Sequence, residues 1–309
     1  MADATAGGLG ERALVEQIIA RLAGSSRAIV GPGDDAAVVA VPDARVVATT
    51  DVLVEGVHFR RDWSSGYDVG RKAAAQNLAD VMAMGGVGTA LLVGLVAPAD
   101  LPVAWLHELA DGLRDEAALV GAAVVGGDTV AGADVIVSVT ALGDLQGRPP
   151  VTRAGARSGD VVVVSSGLGA SSAGLARCLA GSFEGPLVAA HRRPAPPYAL
   201  GPALASLGAT AMCDVSDGLV SDLHNVCAAS GVRAELDLSL LPVADGLGAE
   251  DLDHVLYGGE DHGLLATVRP EAVPAAEALG LVAIGRITAG AGVSGDGTEL
   301  APRGYEHFR

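Results

Sequence analysis

At 309 residues with 50% hydrophobic content, the chain can bury a large core and exceeds the usual length of a single domain, so two domains are expected. Its formal charge of -17, from 37 acids against 20 basic residues, argues against a nucleic-acid backbone or an anionic membrane as partner. The N-terminal stretch MADATAGGLGERALVEQ has no basic n-region and no apolar h-region, and no run of about eighteen apolar residues follows, so a soluble cytoplasmic protein is expected. Cys178, Cys213 and Cys227 are scattered and lack CxxC spacing, which argues against a disulfide framework or structural zinc and leaves buried free thiols.

Leu14, Val15, Ile18, Ile19 and Leu22 recur at helical spacing and predict an amphipathic helix over 11–23. GPGDDAA turns into a short strand over 36–41, and VPDA returns the chain into a buried strand rich in β-branched residues over 46–50; the two strands are expected to pair. That second strand runs into TTDVLVEGVHF, which places Asp51, Glu55 and His58 just past its carboxyl end, where α/β folds hold ligands. Taken alone, Asp51 reads equally as a solvated turn acid. A helix over 70–84 sets Asn77 and Asp80 on one face, which by itself reads as a solvated face.

A strand over 87–96 and a helix over 101–120 with acids on its exposed side come next. The strand over 122–125 ends in Gly126, Gly127 and Asp128. Paired glycines before an acid let backbone amides approach a ligand, or form an ordinary tight turn. A strand over 135–142 closes this half. GRPPVTRAGARSGD, residues 147–160, is rich in Gly, Pro and Arg and reads as the boundary between domains 1–148 and 149–309.

The second half restarts the β/α alternation with a strand over 161–165, the turn GLGASSAG and a helix to Ala180. HRRPAPPY is a proline-broken connection before a helix over 201–207. AMCDVSDGLVSDLHNV is a strand entering a helix, with Ser216 or Asp217 placed to cap it. Strands over 232–238, 264–268 and 282–287 and a helix over 271–279 complete it. Tyr305 and Phe308, in a chain only 3% aromatic, close the core or stack on a flat ligand.

Acids follow apolar runs repeatedly, at Asp34 and Asp35, Asp51, Asp128, Asp214 and Asp217. One such acid is a turn residue, whereas a series suggests a shared metal site. Lys72 is the only lysine and GRKAAA is not a Walker A loop, so any phosphate must be handled by arginine, backbone amides and divalent metal. Mg2+ between carboxylates and phosphate oxygens would let an acidic protein bind a polyphosphate.

The motifs GERALVEQI, GPGDDAAVV, TTDVLVEGVHF, AAAQNLADVMAMGG, VVGGDTV, VTRAGARSGD, CDVSDGLVSDL, YGGEDHGLL and GYEHF together resemble, in order and spacing, the thiamine-monophosphate kinase family over nearly the whole chain. The resemblance implies an ATP-dependent kinase giving thiamine diphosphate and ADP. It also implies a two-domain α/β fold with mixed sheets, shared with aminoimidazole ribonucleotide synthetase, whose N-terminal strands form a barrel across a homodimer. In this fold 1–148 is the metal- and ATP-binding and dimerisation domain, and 149–309 is an α/β domain completing the ATP and substrate site. Carried over by position, the Mg2+ ligands are Asp35, Thr49, Thr50, Asp51, Asp80, Asp128, Asp214 and Asp217. Gly127, Asp128, Arg153 and Ser216 contact ATP, while His58, Glu260 and Tyr305 hold thiamine monophosphate. The acceptor oxygen is already anionic, so no catalytic base or nucleophile is assigned. His58 on its own also reads as a hydrogen-bonded loop histidine.

One departure stands out: the family usually has GGEDYELL where this chain has His262 and Gly263. The competing readings are another ATP-using synthetase of the same superfold or a non-catalytic nucleotide and metal sensor. The lack of cysteines in the first half and the ending HFR speak against the first. The full set of acids at the metal positions speaks against the second.

Overall fold

A computed structural model describes residues 5–22, 28–30, 36–165 and 167–303. Asp34, Asp35, Tyr305 and Phe308 lie outside the described residues. The chain divides into two units, Met1–Val81 with Val87–Gln146, and Met82–Gly86 with Gly147–Arg309. Among the described residues no helix is long and apolar enough to cross a membrane.

The first unit begins with α1 (Ala6–Leu9) and α2 (Glu11–Arg21), the predicted amphipathic helix, with Leu14 and Leu22 buried. β1 (Ala28–Val30) and β2 (Val38–Val39) form a small antiparallel pair. The expected pairing of β2 with the next strand is therefore wrong. β3 (Val47–Val54) pairs instead along its whole length with β6 (Ile136–Asp144). A nine-residue partner supplies a full ladder of hydrogen bonds, which a two-residue strand cannot. β3 also runs through Asp51 and does not end before it, and its alternating burial shows a strand covered on one face, not the fully buried strand expected.

β4 (Val87–Ala97) lies between β6 and β5 (Val124–Ala131), giving the order β3-β6-β4-β5, in which only β4 and β5 run parallel. Val137, Val139 and Ala141 of β6 are buried on the face toward α3 (Gly66–Ala83), while α4 (Val103–Ala118) packs against β4 and β5. The two helices touch backbone to backbone: a Cβ on Gly70 would stand 2.2 Å from the Leu109 carbonyl oxygen, and one on Gly112 2.3 Å from that of Tyr67. Glu116 is an exception to the expected exposed acids of α4. It is buried and bonded to the Arg71 guanidinium.

The second unit is built on a seven-stranded mixed sheet. In chain order its elements are β7 (Val161–Ser165), α5 (Ala170–Leu179), α6 (Pro186–Arg192), α7 (Leu200–Leu207), β8 (Ala211–Val215) and α8 (Leu219–Ser230). They continue with β9 (Arg233–Leu236), α9 (Leu252–Tyr257), β10 (Gly263–Val268), α10 (Val273–Ala278), β11 (Leu281–Thr288), β12 (Gly292–Gly295) and β13 (Thr298–Glu299). The strand order is β13-β12-β9-β11-β7-β10-β8, with only β9 and β12 parallel. α8 and α9 bury Leu219, Leu223, Val226 and Val255 against Val162, Val164, Cys213 and Leu265 of the sheet. All three cysteines are buried thiols outside any disulfide. Because β10 is antiparallel to both neighbours, the loops leaving β7 and β8 and the loop entering β10 meet at one end of the sheet.

Candidate functional site

Alternation along β3 sends Thr49 and Asp51 toward α3 and Thr50 to the opposite face. The Thr49 hydroxyl donates to Asp80 Oδ2 at 2.6 Å. Asn77, fully buried, accepts the Asp51 backbone N–H at 3.0 Å and donates its own amide to the Ala73 carbonyl at 2.9 Å. The Asn77 and Asp80 face of α3 is thus a seam against β3, not the solvated face that the helix suggested in isolation. Thr50 donates to the Val139 carbonyl at 3.0 Å and accepts from the Thr140 hydroxyl at 3.1 Å, so its side chain is directed away from Asp51.

His58 lies in the turn after β3. The backbone N–H of Val54 donates to its Nδ1 at 3.1 Å, which assigns the ring proton of the neutral form to Nε2 and makes that atom a donor. Lys72, with only 2% of its surface exposed, donates from Nζ to the His58 carbonyl at 3.1 Å. The single lysine therefore braces the turn that carries His58. Glu55 is paired with Arg61 at 2.6 Å.

Gly126, Gly127 and Asp128 lie within β5, not in a turn after it. Leu91 pairs with Val124 and Leu92 with Gly126, so Val125 is an extra residue, a β-bulge. The bulge reverses the alternation and turns Asp128, partnered by Gly94, to the face of Ser138 and Thr140, opposite Asp51. Gly127 has no room for a side chain, since a Cβ would stand 2.0 Å from the Val93 carbonyl oxygen. Asp51 is in register, through Val139 and Val93, with Gly127, three strand spacings or about 14 Å away. Within one chain, Asp51 and Asp128 do not reach a common ion. A cavity of about 780 Å³ opens on the Asp128 side of the sheet, lined among others by Gly126, Asp128, Ser138 and Thr140.

In the second unit, Asp214 sits at the end of β8, buried, with Oδ2 3.0 Å from His262 Nδ1. Ser216 and Asp217 follow but do not cap α8. Asp222, on the first turn of that helix, reaches back and accepts both of their backbone N–H groups at 3.0 Å. Burial first, and the Asp214 charge second, push the Asp222 carboxyl up to about 7, and its Oδ1 makes no hydrogen bond. Arg153 carries the positive charge acting on Asp222 and on the Cys213 thiol, which burial raises well above its ordinary range. The GGEDH loop is laid across the same end of the sheet: Glu260 N–H donates to the Ser216 carbonyl at 2.8 Å and His262 N–H to that of Val215 at 2.9 Å. Asp261 caps α5, accepting from Gly169 N at 2.6 Å and Ser171 N at 2.8 Å. At the departure from the family pattern, His262 contacts Asp214, and a Cβ on Gly263 would come within 2.8 Å of Ser165 Oγ.

The structure thus gathers Thr49, Asp51 and Asp80 in the first unit, and Asp214, Ser216, Asp217 and Glu260 in the second. It separates Asp128 from Asp51 and turns the Thr50 side chain away. Sequence reasoning missed Asp222 and Asp261; the acid four residues into a helix after a Ser-Asp-Gly turn was the available signal for the first. The donors are almost all carboxylate and hydroxyl oxygens, the set that suits Mg2+ and not a thiophilic metal. Among the described residues no three His, Cys, Asp or Glu side chains converge tightly enough to hold a metal ion on their own.

Residues 33–145 match the N-terminal domain, and residues 157–297 the C-terminal domain, of the family described as AIR synthase related protein. The thiamine-monophosphate kinase of Mycobacterium tuberculosis is 47% identical over 267 residues, covering 84% of this chain and 80% of that protein. The chain belongs to the thiamine-monophosphate kinase family. Among solved structures, the family member from Stenotrophomonas maltophilia K279a superposes with a TM-score of 0.83 at 34% identity, covering 93% of this chain and 96% of that one. AaThiL complexed with AMPPCP and TMP gives 0.80 at 32% identity over 100% of both chains. The mixed α/β fold of two domains is that of this family.

Proposed function

We propose that the chain transfers the γ-phosphoryl group of ATP directly to thiamine monophosphate, giving thiamine diphosphate and ADP, in the cytoplasm. Family membership supports the reading, as does the complex of AaThiL with AMPPCP and TMP. The observation on this chain that carries it is the seam of Thr49, Asp51 and Asp80, hard oxygen donors fixed in place by a helix and a strand.

In this reading Asp35, Thr49, Thr50, Asp51, Asp80, Asp128, Asp214 and Asp217 hold Mg2+, with Thr50 contributing main-chain oxygen because its hydroxyl faces away. Bound Mg2+ supplies charge neutralisation on the phosphate oxygens. Gly127, Asp128, Arg153 and Ser216 contact ATP, and the close strand approach at Gly127 exposes backbone in place of a side chain. His58, Glu260 and Tyr305 hold the acceptor, with the His58 Nε2–H donating to its phosphate. That phosphate is already an anionic nucleophile, so the protein's work is positioning and charge stabilisation without a covalent intermediate.

We also propose a homodimer. Asp51 and Asp128 face opposite sides of one sheet, the strands β3 and β5 are its open edges, and Val52, Leu92 and Val130 leave apolar surface exposed on the Asp128 face. A second copy seated on that face, pairing along the open edges β3 and β5, closes the barrel.

Chromatographic separation of thiamine phosphates tests the activity. Thiamine diphosphate should form only when ATP, Mg2+ and thiamine monophosphate are all present. ATP consumption without it would favour a synthetase of the same superfold, and binding without turnover a nucleotide sensor.

A further inference from the structure

The loop that carries Glu260 is strained. Glu260 and His262 have φ of 64° and 52°, a left-handed region that non-glycine residues enter only at a cost. Gly259 before them has no space for a side chain, because its Cβ would meet the Ser216 carbonyl oxygen at 2.5 Å. Backbone bonds to Ser216 and Val215 and the Asp261 cap on α5 hold the loop in this shape. The strain thus fixes the starting point of one carboxylate side chain.

Beside that side chain lies a buried group that the proposed reaction does not use. His191, on α6, has 4% of its side chain exposed, against 29% for Glu260, and its Nδ1 stands 3.6 Å from Glu260 Oε2 and 3.2 Å from Ser171 Oγ. Gly174 makes this possible. Any Cβ there would meet the Leu187 carbonyl oxygen at 2.1 Å and His191 Cβ at 2.9 Å, so only glycine lets α6 lie close enough to α5. Nδ1 thus lies within hydrogen-bond reach of the Ser171 hydroxyl on the first turn of α5 and within ion-pair distance of the Glu260 carboxylate on the strained loop. A carboxylate flanked by a buried imidazole on one side and open to solvent on the other is placed to accept from the amino group of a heterocycle.

We propose that His191, with Ser171, is a positioning residue that aims the Glu260 carboxylate at the heterocyclic part of the acceptor. This rests on the assignment of Glu260 to the acceptor. Steady-state kinetics on the full chain separate the two claims. E260Q should raise KM for thiamine monophosphate about tenfold and leave KM for ATP within about twofold. H191A should raise the same KM by about three- to tenfold with kcat little changed, add nothing further in the E260Q background, and be rescued by H191N, whose amide nitrogen takes the place of Nδ1. If H191A does not fold, H191N and S171A carry the comparison. H191N should stay near the parent value, and S171A should raise KM for the acceptor alone. A raised KM in E260Q with none in H191A, or in S171A where H191A is unfolded, overturns the positioning role and leaves Glu260 in place. An unchanged KM in E260Q overturns the assignment of Glu260, and the inference with it.

Discussion

At the scale of single residues, the two acids of the helix–strand seam differ in what holds them. Asp80 is oriented through its side chain by the Thr49 hydroxyl, whereas Asp51 is anchored through its backbone N–H by Asn77. Asp51→Asn therefore keeps its structural bond and loses the charge. We expect it to lower turnover by about a hundredfold or more with the melting temperature nearly unchanged, as kinetics and a thermal melt would check; a fully active variant would sink the role of this acid. Asp261 offers a separate test by pH. Burial pushes its carboxyl up to about 6 against the opposing hydrogen bonds from Ser171 and Gly169. A carboxyl raised on folding binds its proton more tightly in the native state. Its stabilising contribution is therefore full below about 4, its unfolded value, and is lost as pH rises through about 6. The melting temperature of the parent should fall relative to Asp261→Asn between pH 4 and 6 and run parallel to it above; a constant offset over the whole range would refute the raised value.

At the scale of elements, Asn77 ties α3 to β3. Asn77→Ala removes the side-chain acceptor of the part-buried Asp51 N–H and should cost about 1 kcal/mol in denaturant unfolding, together with a loss of activity. An unchanged unfolding midpoint would show that the bond does not hold the seam. Much at this scale was legible beforehand. The apolar spacing of Leu14, Ile18 and Leu22 marked α2, a β-branched run marked β3, and strands were read at β4, β7 and β8. What escaped was pairing and register. Nothing in VVGGDTV distinguishes a turn from a bulged strand, because glycines serve both, and the bulge at Val125 is specified by how β5 docks on β4. In the same way β3 could not be matched to β6, some 90 residues away, from local propensity. The candidate acids were legible through the ordered motifs. Which of them face one another depends on strand faces that a single inserted residue reverses. Asp222 was hidden because its role is to cap a turn by reaching back from the helix.

For the whole molecule, the distribution of acids within the first unit argues for a second copy. Asp51 and Asp128 lie about three strand spacings apart on opposite faces, so a single chain leaves the proposed metal platform divided. Sedimentation should give a dimer. Val52→Glu, which sets a charge on the exposed sheet face, should shift it toward monomer and lower activity in step. An active monomer would remove the need for a partner.

The central claim is direct transfer from ATP to a phosphate acceptor. 31P NMR of the purified protein with ATP, Mg2+ and thiamine monophosphate, with controls lacking acceptor or metal, tests it most directly. The account predicts ADP and a new diphosphate signal growing together, each dependent on the acceptor and on Mg2+. ATP left intact, or cleaved to free phosphate whether or not the acceptor is present, would contradict it.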